Sequence, residues 1–315
     1  MNIVWRKMGQ IYCPSGDGFF KTHATRTVPY RRNDGTIRLY FASRASDDMP
    51  YLAYIDVDPA NPSRVLAVKS EAVLPLGRTG TFDDSGFTAG SILRHGGQDR
   101  MYYSGFKRRR WGVTIEMAIG LATMHRDGDE VTRMFEGPIL AQDIHHPLLA
   151  AGPFVRFENG RYRMWYCNGT DWRQANGQGE PLYTVHYAES DDGIRWTPRS
   201  GPVIPYKFDG EVVSAPWVER AGGKYHMWYS RRGHATREAK NYVIGYAISD
   251  DGISWERRDD LAGIDRSPTG WDSEMICYPA MYPQGDKVYM FYSGNAVGKG
   301  GIGYAIAENF LDRAS

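Results

Sequence analysis

The sequence predicts an all-β fold, a five-bladed β-propeller of four-stranded antiparallel blades whose ring is closed by the amino-terminal strand. Three observations predict it. Leu39-Tyr-Phe, Met101-Tyr-Tyr, Met164-Trp-Tyr, Met227-Trp-Tyr and Met290-Phe-Tyr recur at steps of 62 or 63 residues, and a period sustained along a whole chain marks a repeat architecture. Short apolar-aromatic runs separated by Asn, Asp and Gly read as hairpins. Abundant Tyr, Trp and Gly favour many short strands over helices.

The elements of each repeat follow in order. A first strand (28–30, 91–93, 154–157, 217–219, 280–282) joins the Met-x-Tyr strand through a tight turn such as Asn33-Asp-Gly35, Glu158-Asn-Gly160 or Ala221-Gly-Gly223. After a variable loop comes a third strand, Tyr51-Leu-Ala-Tyr-Ile55, Ala118-Ile-Gly-Leu-Ala122, Val185-His-Tyr-Ala188, Ile244-Gly-Tyr-Ala247 or Ile302-Gly-Tyr-Ala305. Two of these run into Ser190-Asp-Asp-Gly-Ile-Arg-Trp196 and Ser249-Asp-Asp-Gly-Ile-Ser-Trp255, where Asp-Gly supplies the turn and Ile-x-Trp is expected to begin a fourth strand. The last repeat lacks a fourth strand. Asn2-Ile-Val-Trp-Arg6 repeats the Ile-x-Trp pattern, so residues 2–6 are expected to complete that blade and remove an open sheet edge. Residues 1–315 then form a single domain without a linker.

The formal charge of +1 gives no global attraction to nucleic acid. No apolar run approaches the length of a membrane span and the amino end lacks a signal-peptide core, so a soluble, cytoplasmic protein is expected. Cys13, Cys167 and Cys277 are too few and too scattered for a disulfide framework or a familiar zinc site, and read as buried free thiols. No cofactor is expected, and the sequence leaves the oligomeric state open.

A propeller's first strands line its channel, and the loops leaving its second strands crowd one face. Those segments are long and polar here (44–50, 105–114, 168–181, 231–241), which places a binding site on that face. Into it lead three copies of one motif: Phe82-Asp-Asp-Ser-Gly-Phe-Thr-Ala-Gly90, Phe208-Asp-Gly-Glu-Val-Val-Ser-Ala-Pro216 and Trp271-Asp-Ser-Glu-Met-Ile-Cys-Tyr-Pro279. Asp83, Asp209 and Asp272 recur behind an aromatic residue, so they are expected to tie the loop to backbone amides; Asp83 also counts among the binding candidates. Asp84, Glu211 and Glu274 do not recur in every blade and are the candidate catalytic acids, with His23 as a further proton carrier. Arg26, Arg44, His146, Asp171, Trp172, Arg231, Arg232, Cys277, Tyr278 and Asn295 are candidate substrate contacts, with Lys107, Arg108, Trp111 and Asn168 leaving the same strands. Trp stacks on sugar faces and Arg grips phosphate or carboxylate, so the set suits a small-molecule or oligosaccharide substrate, including a phosphorylated one. His145-His146 lacks a third ligand in a recognisable pattern, so no metal is assigned.

With its Met-Trp-Tyr-Ser strand at Met227 to Ser230 and its Ser-Asp-Asp-Gly-Ile-x-Trp turns, the chain resembles the five-bladed propeller superfamily of carbohydrate-active enzymes that includes glycoside hydrolase families 43, 32 and 130. More narrowly, Phe82-Asp-Asp-Ser-Gly86 and Trp271 to Pro279 resemble uncharacterised glycosidase-like proteins of bacterial sugar or polysaccharide biosynthesis. The resemblance implies acids at the channel ends of the first three first strands. The matching positions hold Thr25 and Arg26, Ala89 and Gly90, Ala151 and Gly152, none acidic. Two functions therefore stand open: a carbohydrate-active enzyme using Glu211, Glu274 and Asp84 as acid and base, and a non-hydrolytic transferase or binding protein for a phosphorylated sugar, a nucleotide-sugar or another biosynthetic intermediate.

Overall fold

The computed structural model describes residues 3–109, 115–144, 146–175, 178–233 and 241–308. Among them are five four-stranded antiparallel sheets. The first blade holds β2 (Thr22–Arg31), β3 (Ile37–Arg44), β4 (Pro50–Val57) and β5 (Val65–Val68). The second holds β6 (Phe87–His95), β7 (Gln98–Arg108), β8 (Ile115–His125) and β9 (Glu130–Arg133). The third holds β10 (Ala150–Glu158), β11 (Arg161–Ala175), β12 (Gln178–Ser190) and β13 (Thr197–Pro198), and the fourth β14 (Val212–Ala221), β15 (Lys224–Arg232), β16 (Val243–Ser249) and β17 (Glu256–Arg257). In the fifth, β18 (Cys277–Gln284), β19 (Lys287–Ser293) and β20 (Ile302–Glu308) are completed by β1 (Arg6–Tyr12), which pairs antiparallel with β20. The propeller and its closure are as expected. No helix among the described residues is long and apolar enough to cross a membrane.

Two expectations shift. The closing strand begins at Arg6, after the Ile-x-Trp pattern rather than within it, and Asn2 lies outside the described residues. Ile3 and Trp5 are buried instead: the Trp5 amide donates to Gly263 O (3.0 Å) and its ring meets Trp228 edge-on at 5.7 Å. Ile194-Arg-Trp196 and Ile253-Ser-Trp255 likewise precede two-residue strands. Alternating Ile and Trp imitate a strand, but their side chains pack back onto the preceding blade. The segment 168–181, expected as a loop, continues β11 and β12 as a long hairpin whose Asn168 pairs Thr184 and whose Arg173 pairs Glu180.

The blades are joined by two repeating devices. In the first, the turn before each fourth strand docks on the second strand of the preceding blade. Tyr102 Oη donates to Gly193 O (3.1 Å), Trp165 Nε1 to Gly252 O (2.8 Å) and Tyr289 Oη to Pro59 O (3.0 Å). The Asp-Asp-Gly turn is built for this: Asp192 Oδ1 accepts from the amides of Ile194 and Arg195, and the Arg195 amide foremost holds its carboxyl at about 2.

The second device sets the channel. All five first strands bulge where they reach it, and four do so with positive φ, at Arg26 (58°), Gly152 (64°), Ala215 (50°) and Tyr278 (57°). Each of these four amides donates to the residue that follows the Met-x-Tyr triplet of the preceding blade: Arg26 to Ser293 Oγ (3.0 Å), Gly152 to Ser104 Oγ (2.7 Å), Ala215 to Cys167 Sγ (3.3 Å) and Tyr278 to Ser230 Oγ (2.7 Å). The serine or cysteine after four of the five triplets is thus an acceptor between blades.

Candidate functional site

Where the bulges converge, a cavity of about 240 Å³ opens at the channel mouth. Arg26, Gly152, Cys167, Tyr183 and Tyr278 line its inner part, and Arg44, Asp48 and Arg108 its rim. Arg44 Nη1 lies 2.8 Å from Asp48 Oδ1 and Arg108 Nη2 3.4 Å from Asp48 Oδ2, so the two rim arginines share one carboxylate. Among the described residues Asp48 is the only carboxylate lining the cavity.

Arg26 differs from its rim neighbours. Its guanidinium lies over Gly152, where a Cβ would come within 2.9 Å of Arg26 Nη1 and of Cys167 Sγ. Only glycine fits there, since the position also has positive φ. No side-chain hydrogen bond or ion pair of Arg26 exists among the described residues. Burial pulls its pKa below the usual arginine value, and the titratable groups that act on it are Cys167, Tyr278 and Tyr183. Burial pushes the Cys167 thiol up to about 11 and both phenols well above their usual range, so all three are uncharged at neutral pH.

Backbone strain gathers at the same place. Of the ten described non-glycine residues with positive φ, Arg26, Asp48, Tyr278 and Val297 line the cavity. A side chain in that conformation costs roughly 1–2 kcal/mol. Thr25 Oγ1 donating to Val297 O (2.6 Å) helps to hold one of them.

The remaining candidates are placed as follows. Glu211 is buried, and Arg257 grips both its oxygens (Nη1 to Oε2 and Nη2 to Oε1, each 2.8 Å) while the Lys207 amide donates to Oε2 (2.7 Å). Asp83 is buried with Arg133 Nε at 2.6 Å and Tyr103 Oη at 3.1 Å, and Asp272 matches it with Lys7 Nζ at 2.7 Å and Tyr292 Oη at 2.9 Å. In each blade the cation comes from the fourth strand. Phe82 and Trp271 stack on those same tyrosines. In the fourth blade this place belongs to Asp259, which accepts from Tyr229 Oη (2.5 Å) and lies 2.9 Å from Arg257 Nη2, with Glu211 sharing the same arginine, whereas Asp209 is exposed and pairs with Arg173. The repeated spacing pointed to Asp209, but Phe208 before it is itself exposed.

Asp84 accepts from the Gly80 amide (2.8 Å) and Ser85 Oγ (2.7 Å), behind the cavity wall that Ser85 forms. Glu274 is exposed; its amide donates to Asn295 Oδ1 (2.8 Å), which also takes the Met275 amide (3.0 Å) and so fixes the 270–275 loop. His23 sits behind Arg44 with Nδ1 2.8 Å from Thr22 Oγ1, and burial followed by Arg44 lowers its pKa to about 4. His146 Nδ1 pairs with Asp143 (3.1 Å), its ring 5.7 Å from that of buried His186. Trp172 packs against Leu149, Ala151 and Cys167, and Asp171 accepts from the Trp172 amide (2.8 Å). Arg231 lies 3.6 Å from Asp259, Arg232 is 3.7 Å from Glu180, and Lys107 Nζ donates to Gly80 O (3.1 Å). Asn168 is buried, and Cys277 packs with Leu182, Val212, Tyr242 and Met275; Cys167 and Cys277 are buried thiols as expected, but Cys13 is exposed directly after β1. Trp111 and His145 lie outside the described residues. No group of three or more His, Cys, Asp or Glu among the described residues is placed to hold a metal.

The structure therefore brings Arg26, Arg44, Arg108 and Tyr278 to one cavity and leaves Asp84, Glu211 and Glu274 off its walls. Sequence reasoning missed Asp48, Tyr183 and the channel position of Cys167. Cys167 was within reach, because it follows Met164-Trp-Tyr where other blades have serine.

No family model matches the chain. It is 34% identical over 312 residues to a Mycobacterium tuberculosis protein (strain ATCC 25618 / H37Rv) described as "Uncharacterized protein Rv1502", covering 98% of this chain and 100% of that one. Among solved structures, one described as a glycoside hydrolase superposes with a TM-score of 0.75 at 19% identity, covering 98% of this chain and 92% of that one. Another, described under the GH130 family of mannoside phosphorylases and its glycoside hydrolases that target β-1,2 mannosidic linkages in Candida mannan, gives 0.72 at 15% identity over 99% and 97%. These likenesses establish a glycosidase-like propeller fold.

Proposed function

We propose, for this chain, which belongs to one family with the Mycobacterium tuberculosis protein Rv1502, a carbohydrate-directed function in which the channel-mouth cavity takes a glycosyl ligand carrying an anionic group. One observation carries the reading. Three arginines line a cavity with one carboxylate, and the innermost, Arg26, has no partner among the described residues. A half-buried cation without a counter-charge is unfavourable, and an anion supplied by the ligand removes that cost with charge-assisted, bidentate hydrogen bonds. The likeness to glycoside hydrolase propellers makes a sugar the natural carrier. About 240 Å³ suits one monosaccharide unit rather than a long chain.

Hydrolysis by Glu211, Glu274 and Asp84 is less well supported. Such chemistry needs two carboxyl groups about 5–9.5 Å apart on either side of the bond. Here Glu211 is committed to Arg257 and Asp84 to a loop amide. Transfer or binding without hydrolysis fits the arginine-lined cavity better.

A thermal-shift comparison tests the proposal. Glucose 6-phosphate or glucose 1-phosphate should stabilise the protein, by about 2.7 kcal/mol at a concentration a hundred times Kd, and methyl glucosides should not. Equal stabilisation by the neutral glycosides would reject the anionic requirement.

A further inference from the structure

Arg26 and Tyr278 occupy positions that the fold gives more easily to glycine. The four positive-φ channel bulges share one backbone geometry and one type of amide contact to the neighbouring blade, and in the third blade Gly152 meets both demands without a side chain. The fold therefore has no need of a guanidinium or a phenol at the other bulges. What the two large side chains reach is the cavity. Neither the Arg26 guanidinium nor the Tyr278 hydroxyl has a hydrogen-bond partner among the described residues, and neither is among the side-chain atoms sealed from solvent without one. The cavity thus presents an unused guanidinium and an unused phenol hydroxyl, with the Ser214 hydroxyl also unpaired on its wall, whereas at the rim Asp48 already answers Arg44 and Arg108.

The Arg26 guanidinium can only donate, so the group it meets must accept. An ionised phosphate or carboxylate does so and answers its charge as well, and the Tyr278 hydroxyl beside it can donate to the same oxyanion. Resting on the glycosyl-ligand reading above, we propose that the ligand enters anion first: its oxyanion is held by Arg26 and Tyr278 at the inner end of the cavity, and its sugar ring faces Arg44, Asp48 and Arg108. Arg26, supported by Tyr278, then discriminates for the anion, and a neutral sugar leaves the Arg26 charge unanswered at that end.

The full-length wild type and the variants Arg26→Gly, Tyr278→Phe and Ala215→Gly test this by thermal melting and by calorimetric titration with glucose 6-phosphate, glucuronate and inorganic phosphate. Arg26→Gly removes strain and an unpaired cation, so its ligand-free Tm is expected to rise by about 2 °C, with at least a tenfold loss of affinity for the sugar-borne anion. Tyr278→Phe keeps the ring and should leave the ligand-free Tm unchanged while weakening binding about tenfold. Ala215→Gly should change the melting point without touching affinity. The two sugar acids identify the carrier, phosphate or carboxylate. Inorganic phosphate binding as tightly as either overturns the anion-first orientation, because the sugar then contributes nothing. Unchanged affinity in Arg26→Gly, or a fall in its Tm, overturns the assignment of Arg26 while leaving the glycosyl ligand standing. A wild type that binds neither sugar acid sinks the proposed function itself.

Discussion

Glu211 and His23 illustrate what single residues decide here. Glu211 and Arg257 are both almost fully buried and bound at 2.8 Å through two hydrogen bonds. Without Glu211, Arg257 keeps only Asp259 (2.9 Å) as counter-charge and loses two hydrogen bonds, so Glu211→Ala is expected to cost roughly 1.5–3 kcal/mol of stability, measured by urea unfolding; a loss under about 1 kcal/mol would mean that the pair is not an anchor. His23 and His186 are both lowered to about 4, chiefly by burial, from an ordinary 6.5. Between those values the unfolded chain holds more protons than the folded one. Stability from both groups is complete above about pH 6.5 and falls as the pH drops toward 4. His186 has neither ring nitrogen hydrogen-bonded among the described residues, so His186→Phe should flatten that decline. An unaltered pH profile in this variant would assign the decline elsewhere.

At the scale of elements, the contacts between blades explain the sequence pattern better than the strands themselves do. The Ser, Ser, Cys and Ser that follow four of the Met-x-Tyr triplets each accept a bulge amide from the next blade. Ala42 stands at that place in the first blade and accepts nothing. Ser230→Ala strands the Tyr278 amide and should cost about 1–3 kcal/mol; an Ala42→Ser control is expected to be nearly neutral. Melting curves of the two distinguish a structural stitch from incidental proximity, which would leave Ser230→Ala as stable as the control. Gly152→Ala should be more damaging, since its Cβ would strike Arg26 and Cys167 at 2.9 Å.

In the whole molecule, the ring depends on the pairing of β1 with β20. Deleting residues 1–12 exposes the edge of β20, and the shortened chain should aggregate where the full chain stays monodisperse in light scattering. This architecture was readable in the sequence because the hydrophobic period and the Asp-Gly turns are local signals repeated several times. The limits of the strands were less so: Ile3-Val-Trp5 alternates like a strand, and only the neighbouring Trp228 reveals that it packs across blades. The cavity was half visible. Arg26, Arg44 and Tyr278 stand at repeat-defined positions, but the sharing of Asp48, the solitude of the Arg26 guanidinium and the substitution of Asp259 for Asp209 depend on contacts that no spacing records.

The arginine-lined cavity is the centre of the account, and a crystal structure of the protein with glucose 6-phosphate addresses it most directly. The predicted result is a phosphate whose oxygens lie about 2.7–2.9 Å from the Arg26 guanidinium, beside the Tyr278 hydroxyl, with the sugar toward Asp48. A ligand seated instead between Glu211 and Glu274, with Arg26 untouched, would contradict it.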